Sequence, residues 1–265
     1  MSFPALRLAL NGLLPRDSRP VVAYSGIWSL ATAFEGERAS LVSATRAELL
    51  EAVGSNRTLV MPTYTSGFKD GAIDLDRAPG MTGVLNEAIR TMPGSRRTAS
   101  AFFSFTARGP AADALAALRP TDAWGDGSLF DWIEREDAHI LLLGVPLPMC
   151  SFLHRVEWLA RVPYRYLKDF VGEMVLDGRK ELLRERLFVR NLDPLVENIW
   201  TGAEDLLGPH QLRRAPLGRG WVSVVGAKAL LATLSPVLRR DRFAFVKNAD
   251  VLRTHFSRPV EEVRP

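Results

Sequence analysis

One stretch of the chain constrains its fold more than any other, because a strand-like apolar run leads directly into a helical pattern there. Residues 138–145 are apolar apart from His139 and Gly144, and residues 151–161 have the pattern of a helix. A short apolar run followed by a helix is typical of α/β proteins with parallel strands. Ligands of such proteins bind at the carboxyl edge of the sheet, where this helix begins.

The same alternation of strand and helix continues on both sides of this stretch. The predicted elements are strands at 21–24, 58–61 and 140–145, and helices at 45–53, 84–92, 111–118, 129–136, 151–161 and 226–238. The turn Asp177-Gly178 between two extended runs predicts a β-hairpin within 170–188. We therefore predict a single three-layer α/β/α domain over 1–257, with a central mixed sheet and an embellished carboxyl-terminal half. A polar tail, 258–265, follows.

Composition narrows the class of protein. With 265 residues, 47% of them hydrophobic, the chain can bury a large core. No window approaches eighteen apolar residues, so we expect no membrane span, and residues 3–10 read as an amphipathic helix rather than a signal peptide. The single cysteine excludes an internal disulfide and fits a cytoplasmic location.

The excess of arginine is first of all typical of solvated surface charge, and among functional interpretations it favours a phosphorylated small ligand. The net charge is +4, and arginines occur in short, scattered pairs such as Arg96-Arg97, Arg213-Arg214 and Arg239-Arg240. Guanidinium groups suit phosphates and carboxylates. Nucleic acid would require a continuous basic stripe with interleaved aromatic residues, which the chain lacks.

The candidate catalytic residues lie near the start of the predicted helix 151–161. His154 and Glu157 are three residues apart, share one helix face, and form a pair suited to general base catalysis. A structural histidine is the alternative. Cys150 precedes His154 by four residues and could be a nucleophile, although a cysteine after an apolar strand is more often buried.

Several other chemistries lack their motifs. The chain has no glycine-rich dinucleotide fingerprint, no Gly-Lys-Ser/Thr phosphate loop and no Gly-x-Ser-x-Gly nucleophile turn. Four histidines and one cysteine, without a His-x-x-x-His pair, make a metal site improbable. We therefore predict no metal.

Five motifs in order resemble the aminoglycoside 3-N-acetyltransferase family, also called the antibiotic N-acetyltransferases, over roughly residues 20–250. They are 24–27 (YSGI), 58–65 (TLVMPTYT), 81–90 (MTGVLNEAIR), 97–109, and 153–157 (LHRVE) followed by 162–165 (VPYR). Each motif alone is weak, but their order and spacing together are fairly specific.

This resemblance implies an acyl-CoA-dependent N-acyltransferase that uses acetyl-CoA and transfers the acetyl group directly to an amine. His154 would be the general base, and Glu157 would orient it or hold the acceptor's ammonium. Tyr64 and Asp76 would also contact the acceptor. The residues expected to bind acetyl-CoA are Ser25, Gly26, Ile27, Trp28, Ser29, Thr63, Arg97, Thr98 and Ser104.

The chain departs from the family pattern at positions that bear on the acceptor. Tyr24 and Phe103 stand where the family has histidines, and Ser100-Ala101 replaces His-Pro. The segment 103–105 is similar to family members of surface-polysaccharide pathways. We therefore expect the amine of an amino sugar, nucleotide-linked or in a polysaccharide or natural-product pathway, as the acceptor. Aminoglycoside acetylation is the alternative, and a catalytically inactive CoA- or sugar-binding protein is a third possibility. The sequence leaves the oligomeric state open, a homodimer included.

Overall fold

The computed structural model of the chain describes residues 2–256. The predicted polar tail, 258–265, therefore lies outside the described residues, and the division into a domain and a tail stays a prediction. No helix within the described range is long and apolar enough to cross a membrane. The predicted cytoplasmic location and a homodimer also stay predictions.

Helices and strands alternate through most of the described chain. The helices are α1 (Pro4–Leu13), α2 (Leu41–Val53), α3 (Val84–Arg90), α4 (Ala112–Ala116), α5 (Leu129–Arg135), α6 (Leu153–Ala160), α7 (Ala203–Gln211), α8 (Ala227–Arg240) and α9 (Ala249–Phe256). The strands are β1 (Val21–Ser25), β2 (Leu59–Pro62), β3 (Ala72–Asp74), β4 (Arg96–Arg97), β5 (Phe105–Arg108), β6 (His139–Leu143), β7 (Arg165–Leu176), β8 (Arg179–Arg190), β9 (Arg213–Leu217) and β10 (Gly220–Gly226).

A mixed sheet forms the centre of the molecule. Over residues 2–256 its strand order is β4-β5-β2-β1-β6-β10-β9. Strand β1 runs parallel to β2 on one side and to β6 on the other, whereas the outer strands pair antiparallel. The chain thus leaves β1 in one direction to form β2 and later crosses to the opposite side to form β6. Such a reversal opens a crevice at the carboxyl ends of the strands.

Side chains on the two faces of this sheet belong to two separate cores. Val22, Ile140 and Leu142 point into a core shared with α5, α6 and α8. Val21, Leu141 and Leu143 point into a core shared with α1 and α2. This alternation is the period-two pattern of a strand buried on both faces. The predicted three-layer arrangement with a central mixed sheet is confirmed.

A second, smaller sheet forms the embellishment of the carboxyl-terminal half. Strands β7 and β8 pair antiparallel along twelve residues each around the turn Asp177-Gly178, and β3 joins β7 in parallel. Both turn residues have positive φ, as a tight two-residue hairpin requires. The predicted hairpin is confirmed and is longer than the 170–188 that the sequence indicates.

Several strands were not predicted from the sequence, namely β3, β4, β5, β9 and β10. Strand β9 contains Arg213, Arg214 and Pro216 and therefore lacks the apolar run that marks the central strands. It lies at the edge of the sheet, where a proline costs no ladder hydrogen bond. Its partner β10 pairs with β6, so β10 and β9 together extend the central sheet by two strands.

Candidate active site

The carboxyl ends of β1, β2 and β6 meet at one edge of the central sheet, as parallel pairing requires. The backbone after β1 and the backbone after β6 lie in direct contact there. An ideal Cβ built on Gly26 would lie 2.7 Å from Val145 Cγ1, and one built on Gly144 would lie 2.7 Å from the carbonyl oxygen of Gly26. Glycine therefore allows this close approach, and α6 starts nine residues after Gly144.

His154 and Glu157 form a hydrogen-bonded pair in α6. The distance between His154 Nδ1 and Glu157 Oε2 is 2.6 Å. The Glu157 side chain is fully buried, whereas 26% of the His154 side chain is exposed. An ionised carboxylate can only accept, so Nδ1 carries the proton and Nε2 keeps its lone pair. His154 thus has the tautomer that a general base requires.

Three residues from outside α6 hold Glu157. The hydroxyl of Tyr164 donates to Oε1 at 3.0 Å, and the amide nitrogen of Asn198 donates to the same oxygen at 2.6 Å. Arg165 Nε forms an ion pair with Oε2 at 2.9 Å. Arg165 also donates to Asn198 Oδ1 at 2.8 Å, and its Nη2 lies 3.2 Å from His154 Nδ1. The carboxylate is therefore paired and hydrogen-bonded, as a buried charge requires.

These contacts set the protonation states of the pair. Burial raises the pKa of Glu157, but the hydrogen bond with His154 and the charge of Arg165 outweigh it and hold that pKa below the ordinary value. Burial and then the charge of Arg165 hold the pKa of His154 below its ordinary value, although Glu157 opposes them. The imidazole is therefore neutral at neutral pH and able to accept a proton.

A cavity of about 380 Å³ opens beside His154. Its size is within the range of small-molecule sites. Aromatic and basic side chains line it, together with the amide of Asn198; they are Phe103, Trp124, Phe188, Arg165 and Arg190. The edge of the Trp124 ring system meets the imidazole, with ring centroids 5.8 Å apart. His154 thus faces a space that can hold an acceptor.

The loop after β1, which was predicted to bind acetyl-CoA, lies at the same edge of the sheet. Ser25 Oγ donates to Asn86 Oδ1 at 2.5 Å, and Ser29 Oγ donates to the carbonyl of Gly144 at 2.9 Å. Ile27 is buried, whereas Trp28 is 51% exposed, with the guanidinium of Arg38 5.4 Å from its ring centroid. Trp28 is therefore the predicted loop side chain that is most available to a ligand.

The other predicted donor-binding residues form an internal network instead. Arg97 donates to the carbonyls of Thr63, Leu75 and Ala78 at 2.6–2.7 Å and to Ser104 Oγ at 3.1 Å. Thr63 and Ser104 are fully buried, and Arg97 is 7% exposed.

Thr98 Oγ1 accepts the backbone N–H of Phe105 at 2.8 Å and is likewise buried. In this structure Thr63, Arg97, Thr98 and Ser104 brace the loops at the sheet edge, so their predicted ligand contacts stay a prediction that the geometry does not favour.

Tyr64 and Cys150 lie in a polar cluster beneath the site. The hydroxyls of Tyr64 and Tyr24 both bond to Ser151 Oγ, and that of Tyr24 does so at 3.0 Å. Cys150 is 1% exposed, and burial raises the pKa of its thiol to about 12. A buried thiol that keeps its proton is a poor nucleophile. The structure therefore favours packing over catalysis for Cys150.

Asp76, which was expected to contact the acceptor, caps the β7–β8 turn instead. Its carboxylate oxygens accept the backbone N–H groups of Asp177 and Gly178, each at 2.8 Å. The side chain thus joins the segment after β3 to the tip of the hairpin and does not line the cavity beside His154. Its predicted acceptor contact is not favoured by this geometry.

No group of three or more histidine, cysteine, aspartate or glutamate side chains within residues 2–256 is arranged to hold a metal ion. The sequence interpretation also missed three residues of the site. Tyr164 and Arg165 follow α6 closely and belong to a motif that the resemblance includes, but no spacing rule links them to Glu157. Asn198 lies 41 residues after Glu157, and nothing in its surroundings signals the contact.

Comparisons with known proteins identify the family. The model of the family described as "Aminoglycoside 3-N-acetyltransferase" matches residues 28–239. Aminoglycoside N(3)-acetyltransferase IV of Salmonella sp is 28% identical over 209 residues, which cover 78% of this chain and 76% of that relative. Aminoglycoside N(3)-acetyltransferase VII of Streptomyces paromomycinus is 36% identical over 107 residues, but these cover only 40% of this chain and 37% of that relative.

Solved structures share the fold. The structure titled "AAC-IIIb binary with CoASH" superimposes with a TM-score of 0.72 at 20% identity, covering 91% of this chain and 97% of that one. The structure "AAC-VIa bound to Sisomicin" does so with a TM-score of 0.73 at 20% identity, covering 91% and 98%. The chain belongs to the aminoglycoside 3-N-acetyltransferase family, the class of acetyl-CoA-dependent N-acyltransferases that its sequence motifs predict.

Proposed function

We propose that the protein transfers an acetyl group from acetyl-CoA to a primary amine on a sugar-like acceptor, with His154 as the general base. One observation carries this proposal: a neutral imidazole, oriented by a buried carboxylate at 2.6 Å, faces a cavity of about 380 Å³ at the carboxyl edge of the sheet. A base positioned in this way accelerates proton transfer by about 10²- to 10⁴-fold.

His154 and Glu157 carry out the proton transfers of the reaction. The free Nε2 of His154 accepts a proton from the acceptor amine as the amine nitrogen attacks the thioester carbonyl. A C–N bond forms, the C–S bond of the tetrahedral intermediate breaks, and the proton passes from His154 to the leaving thiolate. Glu157 holds the imidazole and stabilises the imidazolium that forms, because its carboxylate accepts the Nδ1 proton.

The residues near the end of β1 fit the donor. Three exposed apolar side chains suit the pantetheine arm: Trp28 on the segment after β1, Met81 on the segment between β3 and α3, and Val84 at the start of α3. Gly83 lies next to β1, since an ideal Cβ on it would be 3.6 Å from the carbonyl oxygen of Ser25. The exposed guanidinium of Arg38 beside Trp28 is suited to a phosphate group of CoA.

An aminoglycoside is the acceptor class that the relatives support, because both carry aminoglycoside N(3)-acetyltransferase as their name. They favour the sequence-based alternative over the first expectation, an amino sugar of a biosynthetic pathway. A second candidate acceptor, an amino sugar with an anionic group, is supported by one observation. Arg165 and Arg190 line the cavity beside His154, and none of its lining residues within the described chain is a carboxylate.

Two measurements test the proposed function. Acetyl-CoA at a hundred times its dissociation constant is expected to stabilise the protein by about 2.7 kcal/mol, which a thermal melt detects as a shift of several degrees. Release of free CoA thiol is then followed with sisomicin and with a nucleotide-linked amino sugar as acceptors. The absence of a thermal shift together with the absence of thiol release would leave a catalytically inactive binding protein as the better interpretation.

A further inference from the structure

The charges around His154 are unusual for a site that receives an amine. The cavity beside the imidazole contains Arg165 and Arg190. A second cavity of about 540 Å³ shares Arg165 and Phe188 with the first, and Arg161 and Asp122 also line it. The two cavities therefore adjoin, and arginine is the predominant charged residue in both.

Of the two arginines that line the cavity beside His154, Arg190 is the one without an ion pair in the described chain. It lies at the end of β8, is exposed, and donates from Nη1 to the carbonyl of Val196 at 3.2 Å. None of the ion pairs found within residues 2–256 includes it, whereas Arg165 is already paired with Glu157. Its charge also contributes to holding the pKa of His154 below the ordinary value, so it acts on the same space as the imidazole.

The nearby carboxylates do not offset this charge. Glu157 is buried and engaged by His154, Tyr164, Arg165 and Asn198. Asp122 lines only the adjoining cavity and not the one beside His154. Positively charged walls repel a polycationic acceptor and attract an anionic one.

We propose that Arg190 forms an anion subsite beside His154, which binds a carboxylate or phosphate group that the acceptor carries on the same ring as its reacting amine. This inference rests on the N-acetyltransferase function proposed above and specifies its acceptor. The anion supplies a charged acceptor for the guanidinium donors that the Val196 carbonyl does not engage, and a charge-assisted bond of this kind fixes the orientation of the sugar. The amine is thereby directed to His154, and the aromatic side chains Phe103, Trp124 and Phe188 pack against the ring.

The test compares two sugars that differ by one anionic group. Glucosamine, glucosamine 6-phosphate and sisomicin are titrated by calorimetry into the protein saturated with CoA. We expect glucosamine 6-phosphate to bind about 10-fold or more tightly than glucosamine, the scale of a hydrogen bond to a charged group. Arg190→Glu is expected to abolish this difference and to improve the relative affinity for sisomicin.

A matched variant controls for unspecific charge effects. Arg240→Glu makes the same charge reversal at an exposed arginine of α8 that takes part in no ion pair found within residues 2–256. It should keep the preference for the phosphorylated sugar. The circular dichroism spectrum and the melting temperature of both variants check that each is folded.

Three outcomes would overturn the proposal. The first is that the unmodified protein binds glucosamine 6-phosphate no more tightly than glucosamine. The second is that the preference persists in Arg190→Glu. The third is that Arg190→Glu weakens acetyl-CoA and leaves sugar binding unchanged, because Arg190 would then serve a phosphate of the donor. Loss of the proposed function itself has a separate signature, since the unmodified protein would then fail to bind acetyl-CoA.

Discussion

Two buried polar networks lie at the same edge of the central sheet and differ in what they leave unbonded. In the network around Arg97, the guanidinium donates hydrogen bonds only to groups inside the protein, namely the carbonyls of Thr63, Leu75 and Ala78 and Ser104 Oγ. The network around Glu157 ends at His154, whose Nε2 has no partner among the contacts of the described chain and whose side chain is 26% exposed.

This difference distinguishes a structural network from a reactive one. Both contain a buried arginine and several hydrogen bonds, and both belong to motifs that resemble the same family. A network stabilises the fold when every donor and acceptor is satisfied inside the protein. A network can perform chemistry when it fixes a titratable group and leaves one of its atoms facing a cavity.

The largest effect is expected from removing the reactive atom. His154→Ala should lower turnover by about 10²- to 10⁴-fold, because no other base lies against Glu157 to accept the amine proton. Steady-state kinetics by thiol release measure this change, and calorimetry should give an unchanged affinity for acetyl-CoA. If the variant kept its full turnover, the network around Glu157 would have only a structural role, like the network around Arg97.

The next effect concerns stability. Arg97→Met should reduce the free energy of unfolding by about 2–4 kcal/mol, because it leaves the carbonyls of Leu75 and Ala78 without their donor and removes one of the two donors to Thr63. Urea unfolding measures the change. The neighbouring Arg96→Met removes only partly exposed ion pairs with Asp113 and Asp177, so it should cost no more than about 1 kcal/mol. Weaker acetyl-CoA binding by folded Arg97→Met, with stability unchanged, would favour a ligand contact instead.

A smaller effect is expected on the pH dependence of catalysis. In the unmodified protein kcat/KM should fall as the pH drops through the lowered pKa of His154, since the protonated imidazole cannot accept a proton. Arg165→Gln removes a positive charge and leaves Glu157 less neutralised, and both changes raise that pKa. The acid limb of the pH–rate profile should therefore move to higher pH. Arg184→Gln, an exposed position on β8, is the control, and an unshifted limb in Arg165→Gln would contradict this account.

The smallest effect is expected at Cys150. Cys150→Ala should leave turnover unchanged, because the buried thiol, with its pKa raised to about 12, does not supply a thiolate. We expect a loss of stability of about 1 kcal/mol from the smaller side chain. Kinetics combined with a thermal melt check both expectations. A large fall in turnover in a fully folded variant would instead favour a covalent route through the thiol.

Much of the fold could be predicted because local patterns agree with tertiary structure in the central strands. Strands β1, β2 and β6 are short apolar runs, and Gly54 ends α2 with positive φ where the sequence indicates a stop. Strands β4 and β9 could not be predicted, because each contains two adjacent arginines and their strand conformation depends on pairing with a neighbour. Long-range pairing of this kind leaves no periodic signal.

The sequence predicted only those contacts of the candidate site that lie within one helix, α6. His154 and Glu157 share a face of α6, so their contact follows from spacing. The roles of Arg165 and Asn198 depend on how β7 and the segment after β8 fold back onto α6. For Arg97 the sequence suggested a contact that the structure does not favour. An arginine suits a phosphate ligand, but in the structure its N–H groups are hydrogen-bonded to the protein.

The contacts of Glu157 have a consequence for the order in which the protein folds and becomes active. The carboxylate draws its partners from α6, from the first residues of β7 and from the segment after β8, so the second sheet must dock before the imidazole acquires its orientation. Acetyl transfer therefore reports that the second sheet has docked. During refolding, the first turnovers therefore show that the segments carrying Tyr164, Arg165 and Asn198 have packed against α6.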